Sequence, residues 1–157
     1  MRYLGIDYGE RRVGVSYGDD IGVATPLPAL TQEKEADRIA ALIALAKERR
    51  VTDLVFGYPY NMNGTVGFKA REVDSFIEKV TALLALPIHR IDERLTSQEA
   101  SKAFPKGRND ELRRSGKIDS VAATLILQDF LNQRIVLPEY DPFAEYDDGY
   151  EDDGEQD

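Results

Sequence analysis

The feature that most limits the fold is a change of hydrophobic period after Leu30. Before it, Arg2 to Tyr8, Arg12 to Tyr17 and a run around Val23 to Leu30 are short strand-like stretches separated by "GER" and "GDDIG", the pattern of an antiparallel meander. After it, "EKEADRIAALIALAKERR" sets Ala36, Ile39, Ala40, Ile43 and Ala46 along one helical face and leads into the short apolar strand "DLVFG". A second helical pattern runs roughly from Lys69 to Ala85, with Val73, Phe76, Ile77, Val80 and Leu84 facing inward. The strand "LPIHRIDE" follows, then a short helix opened by "TSQEASKAF", and a last helix in "KIDSVAATLILQDFLNQR".

Three meander strands followed by two strands that alternate with helices predict an α/β domain, a mixed five-stranded sheet with helices on both faces. That order is the one found in the ribonuclease H-like fold. A chain of 157 residues, 42% hydrophobic, has the size and apolar content for one such domain.

Composition narrows the chemistry. With no cysteine and a single histidine, His89, disulfides and the usual zinc sites are excluded, so any metal is held mainly by oxygen ligands, which favours Mg²⁺ or Mn²⁺. No stretch approaches the roughly 20 apolar residues of a membrane span, and the start reads as a strand rather than a signal peptide. The chain is therefore expected to be soluble and cytoplasmic. The formal charge of -9 is unevenly spread: ten acids and no Lys or Arg lie from Glu139 to Asp157. Setting those ten aside leaves 19 acids against 20 basic residues in the rest, a body charge of +1. The expected organisation is a folded domain over residues 1–138 and an acidic tail over 139–157 with the composition of a disordered segment.

Three acids stand out. Asp7 ends the first strand in "LGIDYGE", on the same face as Tyr3 and Gly5, where Gly5 leaves room beside the carboxylate; turn chemistry is the alternative. Asp92 and Glu93 end a later strand in "IDERLTS", and pleating sends them to opposite faces, so at most one can share the side of Asp7. Asp119, in "GKIDSVAATLILQDF", falls in helical register with Ala123, Ile126 and Phe130, which sets a carboxylate on or beside the packed face, unless it is only a first-turn acid. Carboxylates from a first strand, a later strand end and a last helix can meet at one sheet edge. Two divalent ions about 3.5–4 Å apart would relieve their repulsion, activate a water and stabilise the leaving oxygen of a phosphodiester.

Two stretches suit a phosphate-rich substrate. "GYPYNMNGTVGFKAR" follows the fourth strand and offers Asn61, Asn63, Thr65 and glycines, although such residues also simply make loops. "KAFPKGRNDELRRSGK" carries Lys102, Lys106, Arg108, Arg113, Arg114 and Lys117 against Asp110 and Glu111; it reads as a flexible arm for backbone phosphates or as a solvated loop.

These blocks carry a family likeness. "DYGERRVGV" resembles the D-x-G-x-x-R-x-G-V opening of the YqgF family, also called RuvX, the Holliday junction resolvase-like proteins named as pre-16S rRNA nucleases. "GYPYNMNGTVG", "DERLTSQEA" and "KIDSVAATLILQDFL" resemble its three further blocks, in order, over roughly Arg2 to Leu137. The resemblance implies metal carboxylates at Asp7, Glu93 and Asp119, a motif arginine at Arg12, and nucleic-acid contacts from Asn61, Gly64 and Thr65. It further implies cleavage in 5′-end maturation of 16S ribosomal RNA, with branched-DNA cleavage as the related activity. A junction resolvase would need a two-fold homodimer to make symmetric cuts. Two other classes fit less well. An actin- or sugar-kinase-like phosphotransferase also starts with an Asp-x-Gly hairpin but clamps nucleotide between two lobes. A non-catalytic RNA-binding module would have no use for the acid trio.

Overall fold

The computed structural model describes residues 1–60, 67–92 and 106–134, and for 106–109 the backbone alone. Strands β1 (Arg2–Asp7), β2 (Val13–Asp19) and β3 (Thr25–Leu30) come first, followed by helix α1 (Glu35–Glu48), strand β4 (Asp53–Tyr58), helix α2 (Phe68–Leu83) and strand β5 (Ile88–Asp92). Helix α3 (Lys106–Ser115), a 3₁₀ turn (Ile118–Ser120) and helix α4 (Val121–Arg134) complete the described chain.

The sheet has the order β3-β2-β1-β4-β5. The first three strands pair antiparallel as a meander, while β4 and β5 add to β1 in parallel, as the change of period predicts. Pleating divides the side chains between two layers. Leu4, Ile6, Leu54 and Phe56 pack with Ile39 and Leu42 of α1 and Phe76 and Val80 of α2. On the other face Tyr3 and Val55 pack with Ile126, Leu127, Phe130 and Leu131 of α4. The interior strand β4 is buried along its whole length, the reason "DLVFGY" reads as a continuous apolar run rather than an alternating one. Among the described residues no helix is long and apolar enough to cross a membrane.

Four local readings are corrected. The buried face of α1 is Arg38, Ile39, Leu42 and Ala46, whereas Ala36 and Ala40 are exposed; alanines all round this helix blur the apolar stripe, and the longer side chains decide which side packs. The room beside Gly5 is filled by α4, since a Cβ there would press on Ser16 Oγ, Leu127 Cβ and the Ala123 carbonyl. The basic segment is helical over Lys106–Ser115 rather than a loop or flexible arm. Leu112 anchors that helix in the core, and Gly116, at φ +77°, ends it in a Schellman turn. There the Gly116 and Lys117 N–H groups donate to the Arg113 and Leu112 carbonyls at 3.2 and 2.9 Å. Finally, Asp119 lies in the 3₁₀ turn before α4, not within that helix. The helix expected from "TSQEASKAF" and the tail 139–157 lie outside the described residues.

Candidate active site

Asp7 and Asp119 reach one edge of the sheet because of how α4 docks. In β2 the register against β3 shifts between Val13 and Val15, and the start of α4 seats there. The Val15 N–H donates to Ser120 Oγ at 3.0 Å, and Ser16 Oγ donates to the Ala123 carbonyl at 2.8 Å. Gly14, just before these anchors, lies directly beneath Asp119: a Cβ on Gly14 would collide with the Asp119 main-chain oxygen and press on the Ser120 Cα. Gly14 is also the register partner of Asp7, and opposed residues of an antiparallel pair point to the same face. Asp7, Gly14 and Asp119 therefore share the α4 side of the sheet.

The two carboxylates sit in different surroundings. Asp7 is half-buried, and burial pushes its carboxyl up to about 6, against a smaller opposing pull from the Lys69 ammonium. It has no hydrogen-bond or ion-pair partner among the described residues. Asp119 is more open, with 39% of its side chain exposed, and accepts a hydrogen bond from Arg12 Nη1 at 3.0 Å. Arg12, the motif arginine, thus neutralises one carboxylate while the other stands alone. An inward-facing carboxylate without a partner fits a cation ligand, because an ion between it and Asp119 would offset the desolvation that raises its pKa.

At the next acids the structure separates the pair that sequence left undecided. His89 contacts the Phe130 ring and Ile91 packs on the α4 layer, whereas Arg90 Nη2 donates to Asp74 Oδ1 on the α2 side at 3.1 Å. By alternation Asp92 faces the α2 side, away from Asp7. Glu93 itself lies outside the described residues, but β5 ends at the same edge as β1, with Asp92 paired to Tyr58 of β4. Among the described residues no group of three His, Cys, Asp or Glu converges on one metal position.

Of the expected nucleic-acid contacts, Asn61, Gly64, Thr65 and Lys102 lie outside the described residues, and for Lys106 and Arg108 only the helical backbone is described. Arg113 and Arg114 are exposed on the last turn of α3, and Lys117 is half-buried after it. Arg12, Asp119 and Arg113 are brought together along one open cleft of about 1100 Å³, which Arg11 and Arg38 also line. Sequence reasoning missed Gly14, Arg11 and Arg38. The "ERRVG" run held the signal for the first two, as two arginines and a glycine within one turn of a strand that must approach a helix; Arg38 gave none, being an ordinary charged residue in a helical pattern.

The family model described as Holliday junction resolvase, RuvX, matches residues 1–133. A relative from Opitutus terrae, named "Putative pre-16S rRNA nuclease", is 54% identical over 139 residues, covering 88% of this chain and 96% of the relative. One of the same name from Crocosphaera subtropica is 42% identical over 132 residues, covering 83% of this chain and 92% of its own. Among solved structures, Thermus thermophilus RuvC in complex with Holliday junction substrate has a TM-score of 0.51 at 13% identity, over 87% of this chain and 96% of RuvC. The fowlpox virus resolvase with Holliday junction DNA reaches 0.53 at 10% identity, over 85% and 99%. At such identities these two speak for the ribonuclease H-like fold alone. A family match across nearly the whole described chain, joined to a relative more than half identical, establishes that this chain belongs to the RuvX family.

Proposed function

We propose that the chain is a divalent-metal-dependent endonuclease acting in the cytoplasm on the precursor of 16S rRNA, cutting near the mature 5′ end. The observation that carries the reading is the placement of Asp7 and Asp119 on either side of Gly14, on one face and at one edge. Asp7, Asp119 and Glu93 would hold Mg²⁺ or Mn²⁺, two ions in the full site. Glu93 is assigned over Asp92 because Asp92 faces away. When bound, such ions supply an activated water and stabilise charge on the leaving oxygen. The chain's own residues do the rest. Arg12 orients the Asp119 carboxylate and adds positive charge where a phosphodiester must approach, and the edge beyond β4, with Asn61, Gly64 and Thr65, receives the strand. Lys102, Lys106, Arg108, Arg113, Arg114 and Lys117 attract its backbone.

The family's description as Holliday junction resolvase supports a second reading, cleavage of branched DNA by a two-fold homodimer. One experiment separates the two. Purified full-length chain is incubated with a labelled 5′ precursor fragment of 16S rRNA and with a four-way DNA junction, each with Mg²⁺, Mn²⁺ or EDTA, and its mass in solution is measured. Metal-dependent cleavage of the RNA by a monomer supports rRNA maturation. Symmetric nicking of the junction by a dimer supports resolution. Binding without cleavage of either substrate would overturn the enzymatic reading.

A further inference from the structure

The arginine cleft has a floor that the proposed chemistry does not use. Arg38, on α1, is only 5% exposed, yet it lines the cleft with Arg11, Arg12 and Arg113. Its two terminal nitrogens donate to main-chain carbonyls: Nη1 to Gln32 and Glu33, and Nη2 to Glu10 at 2.9 Å. Its Nε is buried without an acceptor, and no carboxylate pairs with it among the described residues. Carbonyl dipoles satisfy hydrogen bonds, but they do not neutralise a buried charge.

The rest of the lining points the same way. Arg11 has no ion-pair partner among the described residues, and Arg113 has only a loose contact with Asp110 at 3.8 Å, with both side chains largely exposed. The two acids in the lining are Glu33 and Asp119, and Asp119 is already matched by Arg12. Four arginines facing two carboxylates leave the cleft with a local excess of two positive charges, beside a proposed metal ligand. Arg38 also holds the Glu10 carbonyl of the β1–β2 turn and the carbonyls of the segment after β3, which fixes the wall that presents Arg11 and Arg12.

We propose that this cleft is a phosphate-binding subsite that holds a backbone phosphate of the nucleic-acid strand next to Asp119. The assignment rests on the nuclease reading for its biological meaning, but its test does not. Guanidinium groups suit the task because their planar donors match phosphate oxygens.

The test is binding of a labelled single-stranded RNA oligonucleotide in EDTA, so that no cleavage is involved, across a salt series from about 50 to 200 mM. The proteins are wild type, Arg11→Ala, Arg113→Ala, Arg38→Met and, as a charge-matched control at the opposite edge, Arg2→Ala. Arg11→Ala and Arg113→Ala are expected to bind about tenfold more weakly and to lower the slope of log affinity against log salt by about 0.7 each. Arg2→Ala should change neither. Thermal melting shows whether Arg38→Met is folded; the two surface variants carry the test if it is not. Unchanged affinity and slope for Arg11→Ala and Arg113→Ala would overturn the proposal and leave Arg38 as a structural staple. If inorganic phosphate at matched ionic strength raises the melting temperature of wild type but not of Arg11→Ala, while RNA affinity is equal for both, the cleft serves free phosphate, and the strand assignment is overturned. Wild type that binds RNA through these arginines but never cuts it would contradict the nuclease reading and leave the subsite standing.

Discussion

The main-chain oxygen of Asp119 lies so close above the α-carbon of Gly14 that a side chain there would overlap it. Because Gly14 is also paired with Asp7, this one residue sets how near the turn that carries Asp119 comes to the strand that carries Asp7. Gly14→Ala must push the 3₁₀ turn away from the sheet. The expected result is destabilisation of about 1–3 kcal/mol and a fall in metal-dependent cleavage of about 100-fold, read by thermal denaturation and a cleavage assay. Wild-type cleavage from a folded Gly14→Ala would mean that the spacing is irrelevant to the chemistry.

Asp7 gives a prediction about stability rather than rate. Its folded pKa of about 6 lies above the ordinary value of 3.8, so the fold disfavours the ionised form. The penalty is complete above pH 6, fades between 6 and 4, and vanishes below the unfolded value. In EDTA at pH 8, Asp7→Asn should therefore be more stable than wild type, by an upper bound of about 3 kcal/mol that partial solvent exposure reduces. The difference should shrink as pH falls to 4. Adding Mn²⁺ should narrow it at pH 8 as well, because the ion stabilises only the folded protein that binds it. Urea titrations at three pH values check both trends.

Much of this architecture is legible in the sequence because the signals are periodic. The meander, α2 with Val73, Phe76, Ile77 and Val80, and the parallel strands β4 and β5 follow from spacing alone. What is not legible depends on contacts between elements distant in the chain. Gly5 reads as open space until α4 is laid across it. The helix Lys106–Ser115 is hidden by its charge, since Leu112 is its one core anchor among the side chains described there, and a single buried residue makes no stripe. Asp7 and Asp119 could be singled out as chemically interesting, but the device that joins them is a register shift and a glycine in β2, which only the docked helix reveals.

The Arg12–Asp119 pair is largely open to solvent, so it contributes little to folding. Arg12→Ala should change stability by less than about 1 kcal/mol. Its effect belongs in kcat/KM for cleavage, which should fall while the melting temperature stays near that of wild type. A large loss of stability with normal turnover would mark Arg12 as structural instead.

His89 is predicted to be silent in the chemistry. Its Nε2 lies 2.8 Å from Oδ2 of Asp53, a buried carboxylate at the start of β4, at the edge opposite Asp7; the Asp53 Oδ1 has no partner among the described residues. Removing the ring in His89→Ala leaves the Asp53 carboxylate with no side-chain hydrogen-bond partner among the described residues and should cost about 1–3 kcal/mol. The rate per folded molecule should be unchanged, as judged by cleavage below the melting transition of the variant.

The central claim is that Asp7 is a ligand for the catalytic ions. The most direct test compares wild type with Asp7→Asn for Mn²⁺-dependent cleavage of a labelled 16S rRNA precursor, with a four-way DNA junction alongside and RNA binding in EDTA as the control for folding. The account predicts that cleavage is lost in Asp7→Asn while EDTA binding is retained. Equal cleavage by both proteins would contradict it and reduce the carboxylate at the end of the first strand to a feature of the turn.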